Sequence, residues 1–199
     1  MNTVGKLLLM VAAVFGGGAL LVGGCVYSGY NRAITLDQGV KAAWAQVENQ
    51  LQRRFDLIPN LVSTVKGVAG QEEKIFLGIA DSRKAYFAAG SSAEKMHAAN
   101  GLESALSRLL VLHETYPDLK SNQSFLDLQS QLEGAENRLS VERKKYNETV
   151  QALNTLCRKF PGRYYCNLAG VEPAQFFEIE DAARAVPKVD FTGGDRDRD

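Results

Sequence analysis

Leu51-Gln52-Arg53-Arg54-Phe55-Asp56-Leu57-Ile58-Pro59-Asn60-Leu61-Val62-Ser63-Thr64-Val65-Lys66-Gly67 decides how this chain is read. The stretch sits in a seven-residue repeat. One series runs Trp44, Leu51, Ile58, Val65, and its partner runs Val40, Val47, Arg54, Leu61, Val68. Apolar residues alternately three and four apart draw one greasy stripe along a helix. Arg54 falls inside that stripe, so it points toward neighbouring helices, where a charge is costly unless paired. The helix is built to dock against a partner that answers an arginine.

Working outward, Thr35 or Asp37 can cap the start of this helix, with the stripe opening at Leu36 or Val40. Pro59 removes one hydrogen bond and should bend the helix near Phe55 without ending it. Gly67 and Gly70 followed by Gln71-Glu72-Glu73 read as a stop and an acidic restart, although the unbroken heptad phase also allows one helix over 36–89. The second helix reaches about Ala89 and carries Ile75, Ile79 and Tyr86. Ser91 or Ser92 caps a third, from about Ala93 to Tyr116, with a stripe of Leu102, Leu106, Leu109 and Leu110; Pro117 ends it. Ser121 or Asn122 caps the last, where Phe125, Leu132, Leu139, Tyr146, Leu153 and Phe160 recur at every seventh residue. Its partner series, Leu128, Ala135, Glu142, Thr149 and Leu156, turns Glu142 inward. From Pro161 the pattern lapses. Residues 174–185 read as one or two short amphipathic turns, with Phe176, Phe177 and Ile179 packing back on the bundle, and 192–199 as a disordered tail.

Two long and two shorter helices with short connections suit an elongated up-and-down four-helix bundle, an all-α fold. If the first and last helices run antiparallel with matched outer ends, facing residue numbers total about 195. That register predicts a polar layer joining Arg53, Arg54 and Asp56 to Glu136, Asn137, Arg138 and Glu142. Such layers fix register and partner choice more than they add stability.

Leu7 to Val26 holds twenty residues without a charge, enough to span a hydrocarbon core of about 30 Å. The segment reads as a transmembrane helix. A second reading stays open: Val22-Gly23-Gly24-Cys25 resembles a lipobox, which would make Cys25 a lipidation site after cleavage. Either way, residues 1–30 tether a domain over 31–191 to a membrane. Lys6 flanks one end of the segment and Arg32 and Lys41 the other, so charge asymmetry gives no firm side. Cys157 and Cys166 flank Phe160-Pro161-Gly162-Arg163, a turn at a helix end. A disulfide there contributes roughly 2–3 kcal/mol and requires an oxidising compartment such as the periplasm; two thiols are the alternative.

The same stretches carry a family likeness. Tyr30-Asn31, Trp44-Ala45-Gln46-Val47, Gln50 through Gly67, Leu106-Ser107-Arg108-Leu109-Leu110 and Tyr116-Pro117-Asp118-Leu119 occur in order. They are followed by Leu132-Glu133-Gly134-Ala135-Glu136-Asn137-Arg138-Leu139, Tyr146-Asn147 and Pro187-Lys188-Val189-Asp190-Phe191. This pattern, from about residue 30 to 191, resembles the LemA family. The resemblance implies a membrane-anchored helical bundle of the bacterial envelope and carries over no catalytic residue. It also suggests a part in membrane organisation and association with membrane-bound proteases.

Composition narrows the function classes. With 23 basic and 23 acidic side chains the net charge is zero, and no basic stripe interleaves with aromatics, so nucleic acid is not an expected partner. His97 and His113, sixteen apart, form no metal-ligand spacing. Glu133, Glu136 and Glu142 offer carboxylate pairs, but at spacings common on solvated helix faces and with neither nucleophile nor phosphate loop. Trp44 and Tyr146 read as core, and Glu142-Arg143-Lys144-Lys145 as a solvated face. The expectation is a non-enzyme without cofactor or metal, a scaffold whose partners are the lipid bilayer, other proteins and further copies of itself. The competing expectation is a membrane-tethered sensor that binds a peptide or small ligand; the very short chain before residue 7 argues against it.

Overall fold

The computed structural model describes residues 3–67 and 73–178. Among them are six helices and no strand: α1 (Thr3–Lys66), α2 (Glu73–Ala88), α3 (Ser92–Thr115), α4 (Pro117–Lys120), α5 (Gln123–Arg158) and α6 (Gly162–Ala169). The fold is all-α.

α1 is the main departure from the sequence reading. No helix begins at Thr35 or Asp37; the apolar N-terminal segment and the heptad stripe are one continuous helix. Ser28 to Thr35 contains no proline, and Thr35 turns its hydroxyl back to the Asn31 carbonyl (2.9 Å) instead of capping a new start. Ala33, Val40 and Val47 are buried along one side of it. Before them Met10, Val14, Phe15, Leu20, Leu21, Val22 and Tyr27 are 64–80% exposed, so among the described residues nothing covers these apolar side chains. From Ala12 onward α1 is long and apolar enough to cross a membrane. The helix passes through Pro59 and ends before Gly67.

The remaining boundaries follow local capping. Ser91 Oγ accepts from the Glu94 amide (3.2 Å), while Glu94 Oε2 accepts from the amides of Ser91 (3.2 Å) and Gly90 (2.8 Å), a reciprocal box that starts α3. Asn122 Oδ1 accepts from the Phe125 amide (3.0 Å) and starts α5. Pro117 both closes α3 and opens the short α4, which sequence periodicity did not indicate.

The domain reading over 31–191 divides into two compact units. One takes the chain up to Gln50 together with Asn137–Phe176, and the other takes Leu51–Glu136 with the residues from Phe177 onward. α1 and α5 each contribute a part to both. The four-helix layer belongs to the second unit, built from the end of α1, α2, α3 and the start of α5. Phe55 lies against the rings of Tyr86 (4.3 Å between centroids) and Phe87 (5.8 Å), and Lys66 sits over Phe76, so α1 and α2 run antiparallel. α2 and α3 do the same, with Gly78 near Ala105, Ser82 near Gly101 and Tyr86 near Lys95. Leu51, Phe55, Ile58, Leu61, Val65, Leu102, Leu109 and Phe125 fill the interior.

The first unit is smaller: α1, α5, α6 and an irregular strap from Val171. Trp44 meets Tyr146 edge-on (5.5 Å) and Gly39 approaches Thr149, so α1 and α5 are antiparallel here. Where the register argument put residue 141 opposite Arg54, the α5 partner of Arg54 is Glu136, five positions earlier. The end of α5 has no helix start near residue 36 to pair with, because α1 runs unbroken from Thr3.

α5 also turns a different second series inward. Leu139, Tyr146 and Leu153 are buried, accompanied by Arg143, Val150 and Cys157 rather than by Glu142, Thr149 and Leu156, which are half-buried. A seven-residue repeat accepts a partner three or four positions on; the choice of four rotates the buried face by about 100°. Arg143, read as part of a solvated face, is therefore inside.

After α5 the chain continues as α6, where no helix was expected, and then as a strap over 171–178 in place of the amphipathic turns expected from Ala174. Ile179 and residues 192–199 lie outside the described residues. The strap is held by side-chain amides and a phenol rather than by helical bonds. Asn154 donates to the Ala174 carbonyl (2.8 Å) and accepts from the Ala174 amide (2.8 Å). Tyr146 donates its hydroxyl proton to the Gln175 carbonyl (2.9 Å). Once these backbone groups are paired the segment has no need of a helix.

Candidate functional site

Among the described residues, three constellations of polar and reactive side chains stand out. The first is built on Arg54, in the second unit. Its position in the α1 stripe leaves the side chain 6% exposed, with its guanidinium reaching carboxylates of α3 and α5. One nitrogen, Nη1, stands 2.6 Å from Glu136 Oε2 and 2.7 Å from Glu103 Oε2. Two carboxylates thus meet at one guanidinium nitrogen. Both are part-exposed, so water can solvate the oxygens that Arg54 does not reach. This arrangement ties three helices at one level and fixes their register.

Of the seven residues read as a polar layer, the structure joins Arg54 and Glu136. Arg53, Asn137 and Arg138 are exposed. Asp56 is exposed and accepts from Gln52 (3.1 Å) on its own helix. Glu142 pairs with Lys145 (2.8 Å) one turn on. Glu103 was missed altogether. Its signal was present, four residues after Ala99 and three before Leu106, both buried, which sets it at the edge of the α3 stripe.

The second constellation is the strap clasp of Tyr146, Asn154 and Trp44. Burial pushes the Tyr146 phenol above the usual tyrosine range. Asn154 is 7% exposed, and its amide satisfies both polar atoms of one peptide residue, as a neighbouring strand would. Sequence reading took Tyr146 for core alone and passed over Asn154.

The third is the corner where α5 turns into α6. Cys157 and Cys166 are joined by a disulfide across nine positions. Gly162 is obligatory here because a Cβ would strike the Leu156 carbonyl oxygen. The corner packs on α1 at Gly29, where a side chain would fall within the Tyr165 ring. Between them lies an open cavity of about 730 Å³, walled by Leu20, Leu21 and Cys25 on one side and Lys159, Pro161 and Tyr165 on the other. Cys25 is exposed and carries a free thiol.

Among the described residues no three His, Cys, Asp or Glu side chains converge as metal ligands. His97 is exposed, and the side chain of His113 lies outside the described residues.

The Arg54 stripe and the α5 repeat fall where the model of one family aligns, over residues 43–191, and the apolar start of α1 precedes that range. The chain belongs to the LemA family. Within curated proteins this LemA chain is similar to magnetosome protein MamQ 2 and magnetosome protein MamQ 1 of Paramagnetospirillum magneticum, each 26% identical over 179 aligned positions. Magnetosome protein MamQ of Magnetospirillum gryphiswaldense is 25% identical. In each case 77% of this chain is covered and 66% of the relative, so the LemA chain spans just under two thirds of the length of the curated relatives it matches. With the exposed apolar face of α1, this makes it a membrane-associated helical protein.

Proposed function

We propose that this protein is a non-catalytic scaffold of the bacterial envelope, tethered by α1 and offering its helical faces to partner proteins and to copies of itself. The observation that carries the reading is the continuity of α1. The apolar, exposed segment before Tyr27 and the buried stripe from Ala33 belong to one helix, which ties the unit built from α1, α5 and α6 to the bilayer. Leu77 and Phe87 on α2, each a little over half exposed, are apolar surface available to a partner. The polar interior supports the same reading, because Arg54, Glu103 and Glu136 are spent on each other. The kinship with magnetosome proteins favours a part in organising membranes, and membrane-bound proteases are candidate clients.

The Cys157–Cys166 bridge supports a bundle on the oxidising side of the membrane, the periplasm. In that arrangement the anchor is a single span, with lipidation at Cys25 the competing tether.

Photocrosslinking from positions 77 and 87, in the protein's own membrane, tests the scaffold. The expected result is a discrete protein adduct from both positions that persists in Arg53→Gln, a surface control. No adduct from either, together with saturable binding of a peptide or small molecule by the purified protein, would replace the scaffold with the sensor. Intact mass before and after reduction tests the side: a gain of two hydrogens supports the periplasm, and no gain removes that support.

A further inference from the structure

The α5–α6 corner carries side chains that neither the bundle core nor the Arg54 clasp uses. Phe160, Tyr164 and Leu168 follow one another at four-residue steps and are 84%, 66% and 64% exposed. The rings of Phe160 and Tyr164 stack edge-to-face at 5.9 Å, making one apolar knob. Arg158, Lys159 and Arg163 adjoin these residues in sequence, all exposed. From Thr149 to Val171 there is no acidic residue, and none on α1 between Leu7 and Leu36, where Arg32 adds a further cation. The protein as a whole is neutral, so this pole concentrates positive charge against the average.

Position gives the charge a meaning. Tyr165 presses on Gly29, and the cavity beside it is walled by Leu20 and Leu21 of α1 together with Phe160 and Pro161. The corner therefore stands level with the last turns of the apolar segment. An exposed aromatic–aliphatic knob with cations next to it in sequence, beside the end of a membrane span, has the chemistry of a bilayer interface: rings at the headgroup level and cations on phosphates.

We infer that the disulfide-closed corner at Phe160–Leu168 is a second membrane contact, which dips Phe160 and Tyr164 into the bilayer and binds anionic phospholipid headgroups through Arg32, Arg158, Lys159 and Arg163. The cavity between the corner and α1 is the place for one such lipid, with Leu20 and Leu21 along its chains and Arg32 and Lys159 at its phosphate. The bridge and the Gly162 turn hold the knob in shape, so little freedom is lost on docking. The inference rests on α1 lying in the membrane.

The test uses the full chain with Trp44→Phe, so that a single indole can be placed by substitution, in phosphatidylcholine vesicles brominated along the acyl chains. Phe160→Trp should lose most of its emission to bromine, as should Leu20→Trp in the anchor, whereas Lys144→Trp, higher on α5, should not. Adding phosphatidylglycerol should shift the Phe160→Trp emission further to the blue, and Arg158→Gln/Lys159→Gln/Arg163→Gln should abolish that shift. Quenching at position 20 without quenching at 160 overturns the inference while leaving the anchor intact. No quenching at either removes the membrane reading itself. Quenching at 160 that vanishes in Cys25→Ser, together with an acyl mass on Cys25, assigns the cavity to a covalent chain and also overturns the inference. A corner that is insensitive to lipid but crosslinks to one protein makes it a protein-docking knob instead.

Discussion

Arg54 Nη1 lies 2.6 Å from Glu136 Oε2, and this contact joins α1 to α5 at a level where every other inward-facing residue of the α1 stripe is apolar. Glu103 reaches the same nitrogen from α3. The pair does not need to add net stability to be useful. Breaking it strands a charge, and that penalty falls on every alternative register.

Arg54→Leu should cost about 2–4 kcal/mol, because two carboxylates, each at most a third exposed, lose the guanidinium they share. Glu136→Leu in the same chain should recover part of that loss. Urea unfolding of the four proteins of the cycle in detergent measures it. Additive effects within about 0.5 kcal/mol would show that the two residues are independent.

Asn154→Leu should cost about 2 kcal/mol, since the Ala174 amide and carbonyl both lose their partner near a buried surface. Asn154→Asp keeps the acceptor for the amide and should be milder. Hydrogen exchange at the Ala174 amide reads this directly, and unchanged protection in Asn154→Leu would show that the strap is held elsewhere.

Tyr146 gives a pH signature. Its raised pKa means the folded state keeps the phenol proton to higher pH than the unfolded chain does. Its stabilising contribution is therefore complete below about pH 10, where the unfolded phenol begins to ionise, and is lost as pH rises through the folded value. Tyr146→Phe, compared with the parent over that range, should remove the excess alkaline slope. Parallel curves for the two proteins would rule the tyrosine out as its source.

Gly29→Val should destabilise by about 1–3 kcal/mol, because its side chain must displace the Tyr165 ring. Tyr165→Ala in the same molecule should relieve most of the clash while carrying its own packing loss. A thermal melt in which Gly29→Val equals the parent would mean that α6 can move away from α1 at no cost.

How much of this was legible in the sequence depends on what kind of signal each element leaves. The α1 stripe was readable because Val40, Val47, Leu51, Ile58, Leu61 and Val65 repeat through 3.6-residue geometry, and Arg54 stood out against them. The phase of the second α5 series was not, since Glu142-Thr149-Leu156 and Arg143-Val150-Cys157 are equally regular, and the buried set is the one that carries an arginine and the bridged Cys157. α6 escaped notice because Gly162-Arg163-Tyr164-Tyr165-Cys166-Asn167-Leu168-Ala169 is too short to show a period, and half its apolar residues face outward. Glu103 and Asn154 required tertiary neighbours. A polar residue beside an apolar stripe looks the same whether it meets solvent, a guanidinium or a peptide group.

The absence of any break in α1 between Tyr27 and Ala33 has a consequence for how the protein meets its neighbours. A helix without a swivel phase-locks what it connects: each residue inserted there would turn the anchor by about 100° relative to the stripe beyond it. Which way the Ala33, Val40 and Val47 side of α1 looks along the membrane plane is then set by the azimuth of one helix in lipid. Neighbours are thereby selected by bearing as well as by contact, and a single residue inserted between Tyr27 and Gly29 should turn the apolar segment about the helix axis while leaving the Gly29–Tyr165 contact in place.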